Sequence, residues 1–267
     1  MTAVATRARL DAELLRRGLA RSQQQAAEMI AQGRVCVRGV PATKPATQID
    51  RDAPVVVTDS DEPEWASRGA KKLIGALDAF EIDVRGLRCL DAGASTGGFT
   101  DVLLERGTAE VVAVDVGYGQ LIWRLRSDPR VRVHDRTNIR GLRPEDIGGP
   151  VDLTVADLSF ISLRTVLPVL AACTAPDGML LPMVKPQFEV GRDRLGAGGV
   201  VRDPARRLAA IAEVTAVARE LGLVLRGAVA SPLPGPSGNV EYFLWLGGGG
   251  ADVGDPVLAR AVAEGPS

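Results

Sequence analysis

An apolar run, Leu87 to Leu90, ends in Asp91 and passes directly into a loop of small residues that leads to Phe99-Thr100 and a helical pattern. The loop reads Ala92-Gly93-Ala94-Ser95-Thr96-Gly97-Gly98, and it limits the fold more tightly than any other stretch. Glycines let a backbone pass close to a ligand and take dihedrals that a Cβ forbids. A helix N-terminus adds unpaired N–H groups and partial positive charge. Such a strand–loop–helix turn binds either a nucleotide phosphate or the carboxylate of an amino-acid-like ligand. No Gly-Lys-Ser/Thr follows the glycines, so this is not a P-loop. Gly93 is followed by Ala94 and Ser95, which departs from the Gly-x-Gly-x-x-Gly dinucleotide fingerprint.

Asp91 lies at the strand tip, where it would repel a pyrophosphate but engage an ammonium or a ribose hydroxyl, directly or through water. A second acid, Asp115, ends the next apolar run, Val111 to Val114, and a carboxylate there suits the two hydroxyls of an adenosine ribose. Two acidic strand ends around Gly93, Ala94, Ser95, Thr96, Gly97 and Gly98 predict an S-adenosylmethionine site. The plain alternative is a glycine-rich turn with no ligand.

At 267 residues the chain can hold a large domain and a small one. Only 4% of residues are aromatic, so base stacking cannot be the main mode of any nucleic-acid binding. The net charge of −1 hides an asymmetry: residues 1–50 carry eight Arg and Lys against four Asp and Glu. A basic segment on an acidic body suggests a polyanion-binding appendage. Cys36, Cys89 and Cys173 are far apart and form neither a metal-ligand spacing nor a disulfide framework, which fits a reducing, cytoplasmic setting. His134 is the only histidine, which excludes His-based dyads, triads and multi-His metal sites. There is no signal-type apolar segment and no run of 18 apolar residues, so no membrane partner is expected.

Leu10, Leu14 and Leu15 place a helix over residues 7–17, and Ser22 is a plausible N-cap for a second through Ala31. Gly33 stops it, residues 34–38 alternate as a strand, and Val55 to Val57 complete a unit spanning 1–60. Residues 58–66 are acidic, contain proline and lack periodicity. They predict a linker, centred on 61–66, with Trp65 as a packing anchor between domains. A helix follows through Phe80. Strands are then expected near 87–91, 110–115, 130–134, 151–156, 178–184, 223–230 and 240–246. Helices are expected near 98–106, 119–126, 162–173 and 203–221. This alternation predicts an α/β domain over 67–247, a seven-stranded Rossmann-like sheet with ligands at the carboxyl ends of its strands. The connection from Ser231 to Gly238 is too short for a helical crossover, so the last strand should be antiparallel. Residues 248–267 are expected to form a flexible tail.

Four charged residues fall where that sheet presents its working edge. Asp157 follows the strand 151–156, Lys185 follows Met179 to Val184, Glu241 opens the last strand, and Lys72 comes from the helix before the glycine loop. Each is embedded in apolar sequence, which is costly unless the charges pair, and such a cluster can tune a lysine downward.

Two resemblances follow from these motifs. Leu19-Ala20-Arg21-Ser22, Ile30 to Val37 and Lys44-Pro45 resemble the small α+β RNA-binding domain of ribosomal small-subunit protein four, found also in pseudouridine synthases and tyrosyl-tRNA synthetases. The resemblance implies that Arg9, Arg21, Arg34 and Lys44 face RNA phosphates, with Gln23 standing where many relatives carry a further base. The larger part is marked by Ser67-Arg68-Gly69-Ala70-x-Lys72-Leu73, Asp91 to Phe99, Ala156 to Leu163, Val184-Lys185-Pro186-Gln187-Phe188-Glu189 and Gly238-Asn239-x-Glu241-Tyr242. It resembles the FtsJ-like ribose 2′-O-methyltransferases, class I methyltransferases in fold. The whole chain resembles their TlyA family of rRNA methyltransferases, some labelled haemolysins. Lys71 stands where relatives often have histidine.

The resemblance implies S-adenosylmethionine-dependent methylation of a ribose 2′-hydroxyl, a cytidine in small-subunit rRNA, large-subunit rRNA or both, with no metal required. Lys185 would accept the hydroxyl proton or stabilise the alkoxide, Lys72 and Asp157 would orient it, and Glu241 would hold Lys72 or the ribose. Asp157 would also meet the amino group of the cofactor, and Asp135 would border the adenine with Phe160 packed nearby. A non-catalytic ribosome-assembly module, a membrane-lytic protein and a small-molecule methyltransferase are the competing readings.

Overall fold

The computed structural model describes residues 7–57, 65–191, 195–235 and 237–266. The chain divides into two compact units, Met1–Glu64 and Trp65–Ser267. The expected linker 61–66 lies outside the described residues except for Trp65 and Ala66, which pack against the core of the second unit.

In the first unit the described elements are β1 (Arg7–Arg9), α1 (Leu10–Arg16), α2 (Gln23–Ala31), β2 (Val35–Val37), β3 (Val40–Pro41), β4 (Gln48–Asp50) and β5 (Val55–Val57). Leu10, Leu14, Ala26, Met29, Ile30, Val35 and Ile49 form its core. The helix expected from residue 7 begins only at Leu10. Arg7-Ala8-Arg9 offers no apolar face, and its backbone pairs antiparallel with β4 instead. Ser22 caps α2 as expected, its side chain accepting from Gln25 N at 3.1 Å. β2 and β3 form a hairpin through Arg38 and Gly39, both at positive φ (52° and 77°), the primed turn that suits two-residue loops.

The second unit opens with α3 (Gly69–Ala79) and then alternates: β6 (Arg88–Ala92), α4 (Gly98–Glu105), β7 (Glu110–Val114), α5 (Trp123–Arg126), β8 (Val131–His134), β9 (Val151–Ala156) and α6 (Leu163–Ala172). β10 (Thr174–Val184), α7 (Pro186–Glu189), α8 (Pro204–Glu220), β11 (Leu223–Ala230), β12 (Tyr242–Gly248) and α9 (Pro256–Glu264) complete it. The sheet runs β11-β12-β10-β9-β6-β7-β8. β12 is antiparallel to both neighbours, and the ladders from β10 to β8 are parallel. Residues of α6, α8 and α9 bury one sheet face and residues of α3 and α4 the other. The nearly continuous apolar strands are what a sheet covered on both faces requires.

Three expectations change. The helix expected over 119–126 is confined to the four residues of α5, because Gly117 and Gly119 keep the preceding segment in turns. The last strand begins at Tyr242, so Glu241 stands just ahead of it. The flexible tail is not found: β12 runs through Gly248, and Pro256 opens α9, whose Leu258 and Ala261 are buried against β11 and α8. Val257, Leu258, Ala261 and Val262 make the apolar stripe that docks it, and Arg219 of α8 pairs with Asp252 and Asp255 at its entry.

Candidate active site

Asp91 sits at the end of β6, fully buried. Its Oδ2 accepts from Thr100 N at 2.9 Å and Thr100 Oγ1 at 2.7 Å, which ties the strand tip to the first turn of α4. Its Oδ1 is buried with no hydrogen-bond partner. Burial pushes the carboxyl up to about 7, with the charges of Asp157 and Asp115 adding to the rise and the two Thr100 bonds opposing it. In the loop, Gly93 holds φ +88°, and a Cβ there would stand 2.7 Å from the carbonyl oxygen of Asp157. The glycine turn and the Asp157 segment are therefore in backbone contact, reinforced by Asp157 N donating to Ala92 O at 3.0 Å.

Asp115 caps the other wall. Its carboxylate accepts from Ser95 N and Gly117 N at 2.8 and 2.7 Å, fixing Ser95 at φ +50°. Each oxygen keeps a second lone pair for a hydroxyl donor. Thr96 O accepts from Ile122 N, and Ala94, Gly97 and Gly98 are buried beneath the turn. Asp135 follows β8, next to Asp115, whose N–H donates to His134 O. Arg126 holds its carboxyl below the usual range through a 2.8 Å pair.

Phe160 stands on the other side of the glycine turn from Asp135 in strand order. It follows β9, with β6 and β7 between it and β8, and its backbone is left-handed at φ +62°. It is 91% exposed, its ring 5.2 Å from that of Phe188.

The four charged residues form two pairs on this edge. Lys185 Nζ lies 2.5 Å from Asp157 Oδ1, off hydrogen-bond alignment, and donates to Ser159 Oγ at 2.9 Å. Lys72 Nζ lies 2.5 Å from Glu241 Oε2, with the two side chains only 7% and 1% exposed. Sheet register brings the pairs together: Val184 pairs with Tyr242 and Pro182 with Ala156, so Lys185, Glu241 and Asp157 all leave the sheet at one edge. Only the reversal of β12 brings a residue preceding a strand to the carboxyl ends of its neighbours. Gly235 closes over Glu241; a Cβ there would lie 2.6 Å from its Oε1.

Ser159 and Glu189 were not singled out from sequence, although both lie inside the marked motifs. Among the described residues, no three His, Cys, Asp or Glu converge to hold a metal ion, and no helix is long and apolar enough to cross a membrane. In the first unit, Arg9, Arg21 and Lys44 are exposed and Arg34 is half-buried. Arg9 is held by Asp11 at 2.6 Å.

A parallel α/β sheet with one reversed strand next to its edge, and a glycine turn below two acid-tipped strands, is the architecture of the class I methyltransferases. Residues 65–248 match the FtsJ-like methyltransferase family and residues 8–55 the S4 domain. The chain belongs to the FtsJ-like methyltransferase family, in its TlyA group. It is 62% identical to the 16S/23S rRNA (cytidine-2′-O)-methyltransferase TlyA of Mycobacterium tuberculosis, over 98% of this chain and 100% of that one. It is 35% identical to Hemolysin A of Brachyspira hyodysenteriae, over 88% and 98%. A solved hemolysin-named structure from Streptococcus thermophilus shares 35% identity and a TM-score of 0.77, covering 98% of this chain and 96% of that one.

Proposed function

We propose that this protein uses S-adenosylmethionine to methylate the 2′-hydroxyl of a cytidine in ribosomal RNA, acting in the cytoplasm where that RNA resides. Two buried or half-buried lysine–carboxylate pairs at the glycine-loop edge carry the reading, since they are what a poor hydroxyl nucleophile needs. The full-length similarity to a named rRNA (cytidine-2′-O)-methyltransferase and the S4 match over residues 8–55 support the substrate.

The residues present fit S-adenosylmethionine. The bare Asp91 Oδ1 suits its ammonium or a bound water, and the Asp115 carboxylate its ribose hydroxyls. Bound there, it supplies an electrophilic sulfonium methyl group. The chain's own work lies on the nucleophile. Lys185 Nζ accepts the 2′-hydroxyl proton or stabilises the alkoxide, and Asp157 and Ser159 hold the amine in place. Lys72 orients the hydroxyl, and Glu241, sealed beneath Gly235, holds Lys72. Holding the hydroxyl against its reaction partner provides much of the rate. Arg9, Arg21, Arg34 and Lys44 of the first unit engage RNA phosphates.

Lys185→Ala should abolish methyl transfer to ribosomal subunits while leaving S-adenosylmethionine affinity within about twofold. Normal turnover in that variant rejects the role.

A further inference from the structure

Glu189 closes α7, four residues after Lys185, and is buried without belonging to either lysine pair. Its Oε1 accepts from Leu163 N at 2.7 Å and its Oε2 from Ser162 Oγ at 2.6 Å, with Arg164 Nε at 3.3 Å. Arg164 also donates to the Glu189 carbonyl at 2.9 Å and to Glu213 at 2.7 Å. One carboxylate thus joins the helix that follows Lys185 to the first turn of α6. A negative charge there is favoured by the α6 N-terminus and by charge-assisted bonds.

The segment between β9 and α6, residues 157–162, carries both partners of the Lys185 amine, Asp157 and Ser159. It also holds Phe160 in the left-handed region, which costs a non-glycine residue ~1–3 kcal/mol and persists only where the surroundings fix it. Asp157 N on Ala92 O anchors one end, and Glu189 anchors the other through Ser162 and Leu163. Lys185 to Glu189 by covalent chain, Glu189 to Ser162 by hydrogen bond, and Asp157 and Ser159 back to Nζ form a closed ring.

We infer that Glu189 is a positioning residue, setting where Asp157 and Ser159 stand against the Lys185 amine. The inference rests on the reading of Lys185 as the group that activates the ribose hydroxyl. Alanine at 189 leaves the α6 entry without its acceptor and frees the far end of the 157–162 segment. Glutamine keeps the shape and one acceptor oxygen but loses the charge and turns a donor toward Ser162 or Leu163.

The test uses the full chain with ribosomal subunits as substrate. It compares kcat, KM, S-adenosylmethionine affinity by calorimetry and melting temperature, with assays run well below every melting point. Glu189→Ala should lower kcat by about 10–100-fold with cofactor affinity within about threefold, and Glu189→Gln should recover part of the loss. Glu213→Ala, which removes only the outer partner of Arg164, should stay within about twofold of the parent. In an Asp157→Asn/Ser159→Ala background, Glu189→Ala should change residual kcat by less than about threefold, because both partners it positions are already gone. A parental kcat in Glu189→Ala overturns the inference. So does a loss that only tracks the fraction of protein folded and cofactor-bound, or a full penalty persisting without both Asp157 and Ser159. Should Glu189→Ala fail to fold, Glu189→Gln carries the same comparison. Turnover by Lys185→Ala would remove the underlying reading, whereas an inactive Lys185→Ala beside a fully active Glu189→Ala would remove this inference alone.

Discussion

Asp91 has one oxygen satisfied and one bare, and burial raises its carboxyl from 3.8 to about 7. A carboxyl that is harder to ionise when folded favours the folded state below its unfolded value and loses that contribution as pH rises through about 7. Asp91→Asn keeps an acceptor for Thr100 and has no proton to lose. Its melting temperature without cofactor should match the parent below about pH 4, exceed it increasingly between there and about pH 7, and hold a constant lead up to pH 8.5. Parallel melting curves across that range would show that Asp91 is not the titrating group. The same variant should bind S-adenosylmethionine more weakly at pH 8, where an ionised Asp91 would meet the ligand ammonium. The sequence assigns Asp91 the role of a ligand-facing acid and contains nothing of its bond to Thr100. That bond depends on the turn of α4, which residue types alone do not show.

Among the elements, the loop from Ser231 to Asn239 is held by close fits. Pro232 lies against Gly75 of α3, and Gly235 lies against Glu241. Gly235→Ala would push a methyl group into the carboxylate that holds Lys72. kcat should fall at least about tenfold with S-adenosylmethionine affinity little changed, and an unchanged kcat would show that the loop yields. α9 makes the opposite point about legibility. The run of glycines from Gly247 reads as an ending, yet beyond it Leu258 is fully buried. Leu258→Ala should cost about 2–5 kcal/mol in urea unfolding, and a value near zero would mean that the helix is not docked. The strand alternation, the glycine turn and the four charged residues were legible because period and motif are local. The entry strand at Arg7 to Arg9, the outward ring of Phe160 and the anchor at Glu189 were not. Each is decided by a partner distant in sequence: β4, Phe188 and the start of α6.

Across the molecule, charge is divided between the two units: residues 1–50 are net basic on a chain whose total is −1. If the first unit supplies RNA affinity and the second chemistry, Lys44→Ala should weaken binding to ribosomal subunits and make its dependence on log[salt] shallower by about one unit. S-adenosylmethionine affinity should not move, and an unaltered salt slope would take Lys44 out of the interface. The reversed β12 has a consequence for how such chains can drift. An ordinary parallel strand delivers a reactive group from its far end, where a following loop can grow or shrink freely. Here Glu241 is delivered from the near end, so the ten-odd residues upstream set its reach while those after Gly248 do not. Insertions and deletions should therefore accumulate downstream of this strand and be purged just before it, a lopsided tolerance that random length-variant libraries would expose.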